Sequence, residues 1–436
     1  MSRPSRVAMA FVVTFSVGIS GEGRADDWFE TRLAPLVSFY KERHASPELS
    51  FQEKETSRAV AEALKAAGAE VTSGVGVYGV VGVLKNGQGP TVLVRSDLDA
   101  LPVTEATGLD YASKAKATDR EGKSVGVMHA CGHDVHMTCL VGTAQWLNDH
   151  KDRWRGTVLL VGQPAEEMIG GARAMLDDGL YKRFPKPDFA VALHVVNDQP
   201  TGTVVYTVGP AFAGSTSVNV TIKGRGGHGA APHLTVDPIV LAAHVVVDLQ
   251  TVVSREIDPL QPSVISVGSI HGGTKSNIIP DEVKLQMTLR AYRPDVRARL
   301  IEGIQRRIKG LADAHRAPAP TFEIAETTPP TVNTPELVAR TVPAVRRELG
   351  EGNVSTVEPV MGAEDFGLFG EGGVPTFMFR IGTIPPDAIR KAKDGKGGLP
   401  SLHSSTYFPD PAESIKTGVR AMSAVVVELL PPGGKK

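Results

Sequence analysis

The sequence predicts an α/β protein built as two domains, the larger one interrupted by a ferredoxin-like α+β insertion. Short apolar runs bounded by glycine, proline and polar clusters alternate with helical periodicities through the first half of the chain. From about Ser215 the order becomes strand, helix, strand, strand, helix, strand, which is the ferredoxin-like order. A length of 436 residues also exceeds what one ordinary core serves. The chain is divided into a leader at 1–25, a larger domain in two parts at 26–214 and 327–436, and the insertion at 215–326.

Hydrophobic residues make up 41% and charged residues 22%, which is a globular composition, and the net charge of −1 gives no basic field for nucleic acid or an anionic membrane. Residues 1–25 read as a signal peptide: Arg3 and Arg6 precede the uncharged apolar run Val7 to Ile19, and Ala25 follows Gly23 as a small-residue cleavage site. The expectation is a periplasmic or secreted protein with no membrane association after cleavage. No other stretch reads as a membrane helix. Only Cys131 and Cys139 are present, and eight positions on or near one helix put them roughly 12 Å apart, too far to bridge. That excludes a disulfide-framed module and leaves Cys139, among Met137, Leu140 and Val141, as a small core residue.

Helices are expected from Asp26 through Lys65, with Phe29, Leu33, Leu36 and Phe39 at helical spacing, and a second helix from Thr56 to Ala67 ended by Gly68. Strands follow at Tyr78 to Leu84 and Thr91 to Arg95, the second ending in Asp97-Leu98-Asp99. A helix is expected at Met137 to Asn148, then buried strands at Val158 to Val161 and Ala190 to Leu193. These two strands deliver Glu166-Glu167 and His194 to their carboxyl ends, where open α/β sheets place chemistry. The insertion reads as strand Ser217 to Lys223, helix Asp237 to Arg255, strands Ser263 to Ser269 and Glu282 to Tyr292, helix Pro294 to His315 and strand Thr321 to Ala325. The chain returns through a helix ending at Leu349, strand Pro375 to Ile381, a Lys/Gly-rich loop near Lys391 to Gly398 and a last helix, Ser414 to Leu430. The tail Pro431 to Lys436 is expected to be disordered.

The chemistry gathers around Met128-His129-Ala130-Cys131-Gly132-His133-Asp134-Val135-His136-Met137. A glycine between a thiol and an imidazole lets both point at one ion. Cys131, His133, Glu167, His194 and His403 supply five ligands from four separated segments. Nitrogen, sulfur and carboxylate together suit zinc, manganese, cobalt or nickel better than calcium or magnesium. Two-metal hydrolysis also needs a base that is not itself bound. Adjacent residues of an extended segment point to opposite faces, so Glu167 is assigned to metal and Glu166 to general base.

These residues resemble the aminoacylase/carboxypeptidase metallopeptidase family, nearest its amidohydrolase branch with hippurate hydrolases and indole-acetyl-amino acid hydrolases. The matching residues are Arg95-Ser96-Asp97-Leu98-Asp99-Ala100-Leu101-Pro102, Met128 to His136, Gln163 to Glu167, His194, Gly226-Gly227-His228-Gly229-Ala230, Asn277-Ile278-Ile279-Pro280, Gly362 to Phe366 and Leu402-His403-Ser404. The resemblance implies a metallopeptidase catalytic domain, a mixed sheet flanked by helices, carrying two divalent metals with Cys131 bridging. It also implies an inserted lid domain that makes a homodimer and reaches over the site. His228 then polarises the scissile carbonyl, often from the partner subunit, and Asn277 and Arg290 bind the substrate's amide and carboxylate. Asp97 orients a ligand, and His136 and Asp365 support the site from behind. Departures at Met168-Ile169-Gly170-Gly171, at Ser405 and at Lys391 to Gly398 bear on the acyl group. The expected function is hydrolysis of the amide bond of N-acyl amino acids by a metal-activated water. A carboxypeptidase or dipeptidase, and a non-catalytic metal- or peptide-binding exported protein, stay open as alternatives.

Overall fold

The computed structural model describes residues 24–433. The leader lies outside them except for Arg24 and Ala25, which open the first helix, and 434–436 of the tail lie outside as well. Helices α1 (Arg24–Ala45) and α2 (Lys54–Ala66) precede strands β1 (Glu70–Val75), β2 (Gly79–Asn86) and β3 (Thr91–Asp97). Helix α3 (His133–Asp149), strand β4 (Gly156–Gln163), helix α4 (Gly171–Asp177) and strands β5 (Phe189–Pro200) and β6 (Val204–Tyr206) follow. The inserted unit is β7 (Gly214–Lys223), α5 (Pro238–Glu256), β8 (Ser263–His271), β9 (Glu282–Ala291), α6 (Pro294–Ala314) and β10 (Thr321–Thr328). Helix α7 (Pro335–Leu349), strands β11 (Val354–Thr356) and β12 (Thr376–Ile384) and helix α8 (Pro411–Leu429) complete the larger domain.

The main sheet has the order β1-β2-β4-β3-β5-β12-β6-β11. Its centre is parallel, β4 with β3, β3 with β5 and β5 with β12, while β1 and β2 are antiparallel, so the sheet is mixed. Every residue of β3 is buried, because helices cover one face and a second apolar layer the other. Val92 and Val94 enter the core beneath α1, α3 and α8, and Leu93 enters the opposite core with Met175 and Phe366. Strands covered on both faces read as unbroken apolar runs, which makes them visible in the sequence. Strand β1 was not foreseen: it is an edge strand in which Glu70, Ser73 and Gly74 are exposed, so no apolar run marks it.

The insertion forms its own antiparallel sheet, order β8-β9-β7-β10, under α5 and α6. Its core is separate: Val218, Val220, Leu285 and Met287 pack against Leu241, Val245, Leu249, Leu300 and Ile304. The Asp237 carboxylate caps α5 by accepting from the N–H groups of Ile239 and Val240. The expectation that no stretch beyond the leader reaches membrane-helix length needs correction. Helix α5 has 19 residues with a mean hydropathy of 1.3, enough by length and composition alone. One of its faces is the lid core, with Leu241, Val245 and Leu249 buried, while Ile239, Val240 and Val247 are exposed.

Two local expectations change where the site is built. Helix α3 begins at His133, not near Met137, because Gly132 adopts φ 75° and turns the chain straight into the helix. Strand β5 does not end at Leu193 but runs to Pro200, so His194 is a buried residue of the strand's interior. Near Lys391, the loop reading is replaced in part by a short helix, Pro386–Lys393. Both cysteines are free and buried.

Candidate metal centre

Each donor is aimed by a backbone feature. A Cβ on Gly132 would lie 2.7 Å from Val195 Cγ2, so only glycine allows Cys131 and His133 to flank that turn. His133 Nδ1 lies 2.8 Å from the Asp99 carbonyl, and His194 Nδ1 lies 2.7 Å from the Val195 carbonyl. A carbonyl only accepts, so both Nδ1 atoms carry hydrogen and both Nε2 atoms face the centre. His403 sits at φ 65°, held by its N–H on the Ala130 carbonyl at 2.8 Å.

The glutamate pair is delivered differently from expectation. Residues 166–169 form a turn between Ala165 at φ 51° and Ile169 at φ 52°, so the segment is not extended and both carboxylates face the same cleft. The Asp99 carboxylate fixes that turn, accepting from Glu166 N at 3.1 Å and Glu167 N at 3.0 Å. Glu53 accepts from Ala165 N at 2.7 Å. What distinguishes the two glutamates is their surroundings, not strand alternation.

The five expected ligands converge. Cys131 Sγ lies 3.6 Å from His194 Nε2 and 3.3 Å from His403 Nε2. Glu167 Oε1 lies 3.5 Å from His403 Nε2 and 3.8 Å from His133 Nε2. Donor atoms of Cys131, His133 and His194 form one cluster and those of Cys131, Glu167 and His403 a second, each within 4.8 Å. The thiol belongs to both. His133 Nε2 and Glu167 Oε1 are buried without a hydrogen-bond partner. Orphaned buried atoms of this kind are costly unless something else satisfies them, and their donor types fit divalent metal ions.

The electrostatics agree. Burial opposes charge on His133, yet Asp97 and Asp99 raise it to about 10, so the centre attracts a cation. Burial pushes Glu167 up to about 7. Burial, then Glu167 and Glu166, hold the Cys131 thiol well above its usual range, and a divalent cation supplies the opposing field that frees a thiolate. Glu166 belongs to neither cluster that holds the thiol, but its Oε2 lies 3.9 Å from His133 Nε2, and it groups with His133 and Glu167 on one side and with Glu364 and Asp365 on the other, each within 4.8 Å; burial and Glu364 hold its proton well above the usual carboxylate range. Beneath them the buried Arg95 donates to Gln163 at 2.8 Å, Asp97 at 2.8 Å, Glu364 at 2.8 Å and Asp365 at 3.1 Å.

Asp97 does not line the cleft. Its Oδ1 meets His136 Nδ1 at 2.6 Å and its Oδ2 meets Arg95. The Val195 N–H donates to His136 Nε2 at 2.9 Å, so both nitrogens of His136 are engaged. The group that holds His133 is Asp99, which the sequence reading passed over although it stands two residues on in the same motif. His129 stays out of the centre: neither of its nitrogens has a partner, and burial takes it down to about 4.

The cleft over the centre has a volume of about 530 Å³. Of the expected lid residues, Arg290 lines it, next to Phe212 and Glu364. His228 and Asn277 do not: they sit exposed on a small ribbon in which Gly227–His228 pairs with Ile278–Ile279. Arg380 also lines the cleft and was not foreseen, since it reads as an ordinary residue of an apolar strand.

A parallel-centred sheet with a metal-competent cluster at its open end and a lid domain above it defines a metallohydrolase of the two-domain α/β type. The family model "Peptidase family M20/M25/M40" matches residues 93–425, and the chain belongs to that family. The thermostable carboxypeptidase 1 of Saccharolobus solfataricus is 35% identical over 410 residues, covering 92% of this chain and 95% of the relative. The hippurate hydrolase of Campylobacter jejuni is 38% identical over 330 residues, covering 75% and 83%. The solved structure of the Bacillus subtilis YXEP protein, described as a dinuclear metal binding peptidase, superposes with a TM-score of 0.75 at 28% identity, covering 92% of this chain and 99% of that one. The protein is a hydrolase of amide bonds that uses divalent metal ions.

Proposed function

We propose that the protein cleaves the amide bond of N-acyl amino acids at a centre of two metal ions. The observation that carries this is the double membership of Cys131 in two donor clusters, with Glu166 beside both and part of neither. Cys131, His133 and His194 would hold one ion, and Cys131, Glu167 and His403 the other. When bound, the ions polarise the scissile carbonyl and bring the pKa of water toward neutrality. Glu166 takes a proton from the attacking water and hands it to the leaving nitrogen. Arg290 pairs with the substrate's free carboxylate. Zinc or manganese suits the donor set, with cobalt or nickel also compatible.

Homodimerisation through the lid is part of this proposal. Ile239, Val240 and Val247 of α5 are exposed, and β8 is an edge strand. A partner's lid would bring its His228 and Asn277 to the carbonyl oxygen. Export, with the leader removed near Ala25, rests on Arg3, Arg6 and the apolar run to Ile19; N-terminal sequencing of the secreted or periplasmic protein tests it.

Carboxypeptidase action on peptides is the second reading, favoured by the 35% identical carboxypeptidase relative. A panel of N-acyl amino acids against dipeptides separates the two. Glu166→Gln should keep both metals, measured by elemental analysis, while lowering kcat at least about 100-fold with little change in KM. Full turnover in that variant would overturn the assignment of the base.

A further inference from the structure

The cleft holds two guanidinium groups, and among the described residues neither has an ion-pair partner. Arg290 comes from the lid, and its Nη1 is buried without a hydrogen-bond partner. Arg380 comes from β12, where it stands directly beside His194 of β5 in the parallel register. That register sets its side chain on the same face of the sheet as the metal-cluster imidazole. It packs over Phe212, with Cζ 5.9 Å from the ring centroid, and Phe212 in turn lies 6.3 Å from the His194 ring. It makes one long hydrogen bond, from Nη2 to the Glu358 carbonyl at 3.3 Å, among the described residues. Burial lowers the proton affinity of both arginines. Asp198, exposed at the cleft wall, supports the charge of Arg380 from a distance.

A guanidinium offers five donors in a fixed fork suited to a carboxylate. Holding one partly desolvated and unpaired in a binding cleft is unfavourable unless a ligand supplies the anion. One such group is enough to pair bidentately with the carboxylate of a simple N-acyl amino acid, which leaves the second for another anion.

We infer that Arg380 is a specificity-determining residue that pairs with a second anionic group of the substrate, so that the preferred substrates are dianionic N-acyl amino acids. This rests on the amidohydrolase reading for its chemistry but not for its binding geometry. The second carboxylate belongs either to the amino acid's side chain or to the acyl group, and the shared chemistry is a second carboxylate on the substrate.

Matched pairs differing by one charge test it with the metal-loaded enzyme: N-acetylglutamate against N-acetylglutamine, and N-succinylalanine against its succinamide analogue. The wild type should favour the dianion of at least one pair by about tenfold or more in kcat/KM, as charge-assisted bidentate pairing allows. Arg380→Met, which keeps the packing on Phe212, should abolish that preference by slowing the dianion about tenfold while leaving the neutral analogue within about threefold; Arg380→Lys should restore part of it. The responding pair identifies which end of the substrate carries the second anion. No preference in either pair, or equal loss on both members in Arg380→Met, overturns the inference. If none of these amides is turned over, the N-acyl amino acid reading falls by itself. Calorimetric binding of the same pairs then decides the role of Arg380, with equal affinities for charged and neutral members overturning it.

Discussion

Cys131 Sγ stands 3.3 Å from His403 Nε2, across 272 residues of chain. One thiol serving two donor clusters makes a sharp prediction. Cys131→Ala should remove a ligand from both sites at once. Metal retained after dialysis should fall below one ion per chain, and kcat/KM should fall at least about 100-fold, the upper range for loss of a supporting group alone. Two ions retained with normal affinity would show that the clusters do not share the sulfur.

Asp99 binds the site together without touching the cleft. Its carbonyl holds His133, and its carboxylate holds the N–H groups of Glu166 and Glu167 and the hydroxyl of Ser50, the last at 2.6 Å. Asn at position 99 turns one acceptor into a donor facing buried N–H groups. Asp99→Asn should weaken metal binding by about 10- to 100-fold and lower stability by about 1–3 kcal/mol. Titration with a metal chelator and thermal melting read the two effects separately. Unchanged metal affinity would mean that the Glu166–Glu167 turn holds its shape without this carboxylate.

His44 bridges two buried acids, Asp134 at 2.6 Å and Glu105 at 3.1 Å. Burial opposes its charge, yet the hydrogen bonds to Asp134 and Glu105 raise it from 6.5 to about 9. A raised pKa means that the folded protein binds the proton more tightly than the unfolded chain. The stabilisation is therefore complete below about 6.5 and is lost as pH rises through about 9. It amounts to roughly 3 kcal/mol at most. Melting temperature should drop across that window in the wild type and much less in His44→Gln, which starts lower. Parallel pH profiles for the two proteins would remove His44 as the cause.

The exposed His228 yields a mixing experiment. His228→Ala and Glu166→Gln should each be nearly inactive alone. If His228 acts on the partner's cleft, a subunit-exchanged mixture recovers about a quarter of wild-type activity, since half the dimers are hybrid and one site in each is intact. No recovery, with hybrid dimers present by mass, would mean that His228 does not act on the partner's cleft, and full turnover by His228→Ala alone would place it outside the reaction.

Local patterns were enough for the buried strands and for the order of the insertion. β3, β4, β5 and β12 are apolar runs because both faces are covered, and that leaves a one-dimensional mark. Cys131-Gly132-His133 was legible because a single glycine serves adjacent donors. The start of α3 was not, since a glycine at φ 75° opens it without a Ser, Thr, Asp or Asn side-chain cap. The Glu166–Glu167 turn was misread as extended because its shape is imposed by Glu53 and Asp99, which come from other parts of the chain.

The amino-acid order by itself determined the two-domain α/β architecture, the donor types and the presence of a carboxylate beside the metal ligands, all properties carried by neighbouring residues or by periodic patterns. Only the tertiary structure decided that Cys131 belongs to two clusters, that Asp99 holds His133 Nδ1 while Asp97 is engaged by His136 and Arg95, and that Arg290 and Arg380 look into one cleft while His228 looks away. Those facts depend on which side chains from distant segments share a few ångströms of space, and sheet order and lid placement set that.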